Sequence, residues 1–236
     1  MAHELRFTKP LYTVKTAAQL VGMPPTTLTA WARGYERRFP GRPPVTQGPV
    51  ITSVAPSPGS WETIPFIGLV EAMVVQAFRR TGLPLQRIRR ALAVLAEQQE
   101  LEHALASRRL YTDGAQILYD YSKETDDPQL RLLTVVASGQ RVFHEVIAEY
   151  LTRIEFDDDD WATEVVLPVT ERRLLRIRPD VASGEPIFIH GGAPLSAVRS
   201  RFLAGEEIAS IARDYGVPPT DITEALHALS TQRRAA

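Results

Sequence analysis

The sequence predicts an α+β fold, mostly helical, with an N-terminal winged helix-turn-helix and a C-terminal trihelical domain carrying a small β-hairpin. Three observations support this. Apolar residues recur at helical spacing near both ends of the chain. A glycine at 22 and the pair Pro24-Pro25 separate two short helical runs. Short β-branched runs occur only where turn residues crowd.

The 236 residues, 44% of them hydrophobic, suffice for two domains of ordinary size. The absence of cysteine excludes a disulfide framework, a thiolate zinc site and a thiol nucleophile, and suits a reducing cytoplasm. No apolar run approaches the roughly 18 residues that a membrane span requires. Met1 to Pro10 carries Glu4, Arg6 and Lys9 instead of the apolar stretch of a leader. The expectation is a cytoplasmic protein with no cofactor and no membrane partner.

Val14, Ala17, Ala18 and Val21 define the first helix, which Thr13 can cap and Gly22 can end by adopting positive φ. Pro24-Pro25 then opens a second helix through Leu28, Trp31 and Ala32. From Arg33 to Ser60 the sequence is rich in Pro, Gly, Ser and Thr. Val45 and the pair Val50 and Ile51 are its strand fragments, so it reads as a small hairpin, or wing, with a mobile tip near Gln47-Gly48-Pro49. Trp61 reopens apolar periodicity through Ile67, Val70, Val74 and Phe78. After the Thr81-Gly82-Leu83-Pro84 break, a further helix runs through Leu85, Ile88, Leu92 and Leu95.

Alternation at Ile117, Tyr119 and Tyr121 predicts a strand between Leu110 and Tyr121, and Gln140 to Phe156 reads as a helix ended by the acidic run Asp157 to Asp160. That run marks a domain boundary. Short strands are expected at Thr163 to Leu167, Arg172 to Ile177 and Pro186 to Ile189. Three helices close the chain, through Leu195 to Phe202, Ile208 to Tyr215 before Gly216, and Pro219 to Leu229, in a helix-turn-helix-like order. The predicted domains are therefore 1–109, a middle strand-and-helix segment 110–160, and 161–236.

Charge is divided unevenly. Through Arg109 there are 14 Lys and Arg against 7 Asp and Glu, and beyond it 13 against 21. A basic half attracts phosphates and an acidic half suits a cationic partner, which hints at two tasks. In a winged helix-turn-helix the second helix enters the major groove, so Thr26, Thr27, Thr29 and Arg33 are candidate DNA contacts. Arg37, Arg38 and Arg42 follow at the base of the wing, where cations can reach the backbone or the minor groove. Trp31 reads as core. Arg79, Arg80, Arg87, Arg89 and Arg90 form a second basic cluster, readable as a phosphate clamp or as a solvated helix face.

Enzyme signatures fail. His144-Glu145 lacks the second histidine of a zinc helix, because Ala148 stands there, and His190-Gly191-Gly192 has no accompanying Gly-x-Ser-x-Gly elbow. Four adjacent carboxylates at Asp157 to Asp160 cannot all point at one ion, so they read as a solvated linker.

The segment Tyr12-Thr13-Val14-Lys15-Thr16-Ala17-Ala18-Gln19-Leu20-Val21-Gly22 resembles the opening of MerR-like winged helix-turn-helix regulators. Arg79-Arg80-Thr81-Gly82-Leu83-Pro84-Leu85-Gln86-Arg87-Ile88-Arg89-Arg90 resembles their following helix pair, although the long dimerising coiled coil and effector cysteines are missing. Arg178-Pro179-Asp180-Val181, Gly184-Glu185-Pro186-Ile187-Phe188-Ile189-His190-Gly191-Gly192 and Leu203-Ala204-Gly205-Glu206-Glu207-Ile208 are similar to a small domain of bacterial type II antitoxins. In this order the two resemble a VapB-type antitoxin fused to a MerR-like domain.

The resemblance implies an antitoxin that binds and blocks a PIN-domain ribonuclease toxin and represses its own operon by binding double-stranded operator DNA. The basic tail residues Arg233 and Arg234 are then candidate contacts to the toxin's acidic site. A palindromic operator makes a homodimer the default assembly. The alternative is a stand-alone MerR-like transcriptional regulator with no toxin partner.

Overall fold

A computed structural model describes residues 2–110 and 152–235, apart from the single positions 39, 42, 81, 100, 169 and 171. Helix α1 (Ala2–Thr8) leads to Tyr12, which bridges to Ile64. Helix α2 (Val14–Val21) begins where Thr13 accepts the Thr16 N–H at 3.0 Å and stops at Gly22, whose left-handed conformation is φ 74°, ψ 48°. Pro24 sits at the N-cap of α3 (Pro25–Arg33), with Pro25 in the first turn, where its missing N–H costs nothing.

Strands β1 (Tyr35–Arg37) and β2 (Val45–Gln47) form an antiparallel hairpin with Tyr35 opposite Gln47. The tip lies within residues 38–44, not at Gln47-Gly48-Pro49 as the turn composition suggested. Gln47 is at the hairpin base, and the carbonyls of Gly48 and Pro49 accept from Arg89. Val50 and Ile51 lie outside any strand; both N–H groups go to the Trp31 carbonyl, at 2.7 and 3.3 Å.

Helix α4 (Phe66–Arg80) is the core of the molecule, with Phe66, Ile67, Leu69, Val70, Met73 and Val74 all buried. Its sequence is apolar on more than one face because it is covered on more than one side. The periodic run starts at Phe66; Trp61 precedes the helix and is 85% exposed. Helix α5 (Leu85–Gln99) packs back on α4, followed by a single 3-10 turn at Ala104–Ala106.

A four-stranded antiparallel sheet runs in the order β3 (Ile154–Phe156), β4 (Ala162–Val166), β5 (Leu175–Ile177), β6 (Ile187–Phe188); β4, β5 and β6 fall on the three expected strands, and β3 extends the small C-terminal hairpin by one more. Ile154 faces Val165, Val165 faces Ile177 and Leu175 faces Phe188. The predicted strand after Leu110 and most of the helix at 140–156 lie outside the described residues. The end of that helix is corrected: Ile154–Phe156 is a strand, since its β-branched and aromatic residues find a partner strand in β4.

Asp157 to Asp160 is the β3–β4 hairpin turn, so the boundary drawn after Asp160 falls inside a hairpin. Two of its charges are paired rather than solvated. Asp159 pairs with the buried Arg6 of α1, whose Nη1 also reaches the carbonyls of Trp161 and Ala162 at 3.4 and 3.3 Å. Asp160 pairs with Arg108 at 3.6 Å.

Helices α6 (Leu195–Leu203), α7 (Ile208–Tyr215) and α8 (Pro219–Ala235) complete the chain. One continuous core joins Ala17 and Leu28 near the N-terminus to Leu175, Val198 and Ile222 near the C-terminus. Among the described residues, no helix is long and apolar enough to cross a membrane.

Candidate nucleic-acid interface

Helix α3 is held by its inner face and its C-terminal end. Leu28, Trp31 and Ala32 are buried beneath it, which confirms Trp31 as core. The end carbonyls of a helix lack intrahelical partners. Here the Trp31 carbonyl is met by Val50 and Ile51, and the Ala32 carbonyl by Ser53 Oγ at 2.9 Å. That segment is pinned in turn, because Glu71 of α4 accepts the Thr52 N–H at 2.5 Å and lies 3.2 Å from His103 Nδ1. Burial opposes a charge on His103, but the Glu71 carboxylate, helped by Glu102, outweighs it and raises its pKa.

A second brace comes from Arg89 of α5, which holds the hairpin base through Gly48 and Pro49 and whose pKa burial lowers. Within the basic cluster it therefore acts as a brace on the hairpin. Arg79 also donates to the Leu83 carbonyl at 2.7 Å at the end of its own helix, and Arg79, Arg80 and Arg90 are all exposed.

The solvent side of α3 carries the predicted contacts. Thr26 is exposed in the first turn and Arg33 in the last. Thr27 and Thr29 are half-buried, and the Thr29 hydroxyl donates to Pro25 at 2.9 Å, leaving only its lone pairs for a ligand. Arg38 follows the first hairpin strand, 83% exposed, with Nε 2.6 Å from Glu36 Oε1. Arg37 lies in β1 opposite Val45, and Arg42 is outside the described residues. Arg38 thus follows Arg33 by five residues, just past the first hairpin strand.

Arg233 and Arg234 fall within α8, remote in sequence from this surface. Sequence reasoning missed Glu71, Thr52, His103 and the bracing role of Arg89. One signal was available for Glu71: it is the sole charged residue in the run Phe66 to Phe78.

A capped helix pair with a polar outer helix and a following hairpin defines a helix-turn-helix DNA-binding module, and residues 10–92 match the family model described as "Putative DNA-binding HTH domain". Over 233 residues, 96% of this chain and 97% of the relative, the sequence is 40% identical to "Putative antitoxin VapB45" of Mycobacterium tuberculosis. "Uncharacterized protein Rv2308" of the same organism is 26% identical over 224 residues, covering 92% of this chain and 89% of that protein. The crystal structure of Rv2018 from Mycobacterium tuberculosis aligns with a TM-score of 0.77 at 35% identity, over 94% of this chain and 99% of that one. The chain belongs to the family of VapB-type antitoxins with an N-terminal helix-turn-helix.

Proposed function

We propose that this antitoxin binds and neutralises a PIN-domain ribonuclease toxin and represses its own operon as a homodimer on palindromic DNA. The observation that carries the DNA half is α3, fixed from behind by Val50 to Ser53 and presenting Thr26 and Arg33 to solvent. Thr26, Thr27 and Thr29 meet base edges or phosphates, Arg33 and Arg38 meet backbone phosphates, and Arg37 and Arg42 extend that contact along the hairpin. A rigid reader loses little entropy on docking, which is why the bracing matters.

The toxin half is supported by the 40% identity to a protein named as an antitoxin. Arg233 and Arg234 approach the acidic site of the ribonuclease, and residues 161–236 supply most of the toxin contact, with 1–109 reading DNA and 110–160 between them. The protein acts by binding and carries out no catalysis.

Titration of the purified protein against its own upstream DNA and scrambled DNA at two salt concentrations tests the DNA half. Binding should prefer the upstream sequence, weaken at higher salt, and be reduced by Arg33→Ala; equal binding to both sequences would overturn it. The toxin half fails if a PIN-domain ribonuclease encoded beside the gene retains its RNA cleavage in the presence of excess antitoxin.

A further inference from the structure

The last two helices repeat the N-terminal helix-turn-helix at a constant spacing along the chain. Gly22-Met23-Pro24-Pro25-Thr26-Thr27-Leu28-Thr29 corresponds to Gly216-Val217-Pro218-Pro219-Thr220-Asp221-Ile222-Thr223. The correspondence holds at the level of single hydrogen bonds. Gly216 is left-handed like Gly22, at φ 63°, ψ 27°. Met23 N–H reaches the Ala18 carbonyl at 3.0 Å, and Val217 N–H reaches Ala212 at 3.1 Å. Pro24 accepts from Thr27 and Leu28, and Pro218 from Asp221 and Ile222. The Thr29 hydroxyl donates to Pro25 at 2.9 Å, and that of Thr223 to Pro219 at 2.9 Å.

Burial repeats as well. Ala17, Ala18, Met23, Leu28 and Trp31 are buried, and so are Ile211, Ala212, Val217, Ile222 and Ala225 at the matching positions. On the outer face, Thr26 and Arg33 of α3 are exposed, and Thr220, Thr223 and His227 of α8 form an exposed row at helical spacing.

The chemical difference is acidic: Asp221 stands where α3 has Thr27, and Glu224 where it has Ala30. Both carboxylates are matched in place. Asp221 is buried, 3.0 Å from Arg172 and 3.1 Å from His190 Nδ1, and Glu224 lies 2.7 Å from Arg172. Arg172 is half-exposed beside the start of α8, where the helix dipole also favours an anion, and Arg173, next to it in the chain, is exposed.

We propose that α7 and α8 form a second DNA reader, with Thr220, Thr223 and His227 directed to a major groove and Arg173 to backbone phosphates. This rests on the reading of the first helix-turn-helix as an operator-binding module. The two readers are held at a fixed separation, because α8 packs against α2 and Tyr12 Oη donates to the Gly184 carbonyl at 2.7 Å. One chain then covers two groove segments, and its footprint exceeds that of a single helix-turn-helix.

Hydroxyl-radical footprinting and anisotropy titration of the full chain on its upstream DNA test this, with Thr223→Asp, Thr223→Arg and Thr26→Asp as variants. Both changes at Thr223 lose the same hydroxyl bond, so opposite effects isolate charge from folding. Thr223→Asp should weaken affinity roughly tenfold or more and erase one protected segment, while Thr223→Arg should tighten binding. Thr26→Asp should erase a different segment. If both Thr223 variants keep the wild-type footprint and affinity while Thr26→Asp loses them, the second reader is overturned and the first stands. If wild-type protein protects nothing, the operator reading falls, and the second reader with it.

Discussion

The carboxylate of Glu71, buried in the core helix α4, accepts the backbone N–H of Thr52 at 2.5 Å, and directly beside it α4 dispenses with a side chain at Gly68. A Cβ on Gly68 would stand 2.2 Å from the Thr52 carbonyl. Thr52 of the bracing segment is thus held through its N–H and packs its carbonyl closely against α4, and that segment caps the proposed recognition helix through Trp31 and Ala32.

Gly68→Ala should therefore destabilise the protein by about 1–3 kcal/mol, the usual cost of overpacking, because the clash is with backbone and not with a flexible side chain. For a chain of this length each kcal/mol corresponds to a fall in Tm of about 2–4 °C. Thermal unfolding by circular dichroism reads it; an unchanged Tm would mean that α4 and the Thr52 segment separate freely.

The His103 contact with Glu71 makes stability depend on pH. Burial disfavours the charged imidazole, Glu71 more than offsets this, and the folded-state pKa lies above the ordinary 6.5. A raised pKa stabilises the fold fully below the unfolded value, and that contribution is lost as pH rises through the folded value. Urea unfolding of wild type and His103→Gln should differ most at pH 6 and converge in alkaline solution. A gap that widens with pH would reverse the assignment.

Tyr12 ties the first helix-turn-helix to the C-terminal half. Its phenol is buried, which pushes its pKa well above the usual range, and it donates to the Gly184 carbonyl at 2.7 Å. Tyr12→Phe keeps the ring and leaves that carbonyl unsatisfied, costing about 1–3 kcal/mol. Chemical denaturation measures the loss, and no loss would show that water or another donor replaces the hydroxyl.

Trp31 and Trp61 form a natural control pair. Trp31 is buried under α3, and Trp31→Ala should cost about 3–5 kcal/mol. Trp61 is 85% exposed, so Trp61→Ser should stay within about 0.5 kcal/mol of wild type. The intrinsic fluorescence maximum should shift blue on losing Trp61 and red on losing Trp31. Equal stability losses would place Trp61 in an interface.

Arg89→Ala should loosen the hairpin base without removing a phosphate contact. Limited proteolysis is expected to cut faster near Gly48-Pro49, while the salt dependence of DNA binding keeps its wild-type slope; a reduced slope would return Arg89 to the phosphate contacts.

The local features of this protein were legible in its sequence. Thr13, Gly22 and Pro24-Pro25 act through bonds to residues a few positions away, so their spacing alone predicts a capped helix, a left-handed stop and a proline-opened second helix. The same holds for Gly216 before α8. Exposure of Thr26 and Arg33 followed from the opposite, apolar face of α3.

What the sequence left ambiguous depends on partners far away in the chain. The acidic run at Asp157 to Asp160 looks like solvated linker until Arg6 of α1 and Arg108 come to it. Arg89 looks like one more surface cation until the hairpin base folds onto it, and the end of the predicted helix at 140–156 became a strand because β4 offers it hydrogen bonds. Sequence periodicity located the helices from α2 to α5 and from α6 to α8 and the faces they bury, since that information lies within one or two turns. Tertiary structure alone decided which charges are struts and which remain available to a ligand, because ion pairing and burial are set by residues brought together from opposite ends of the chain.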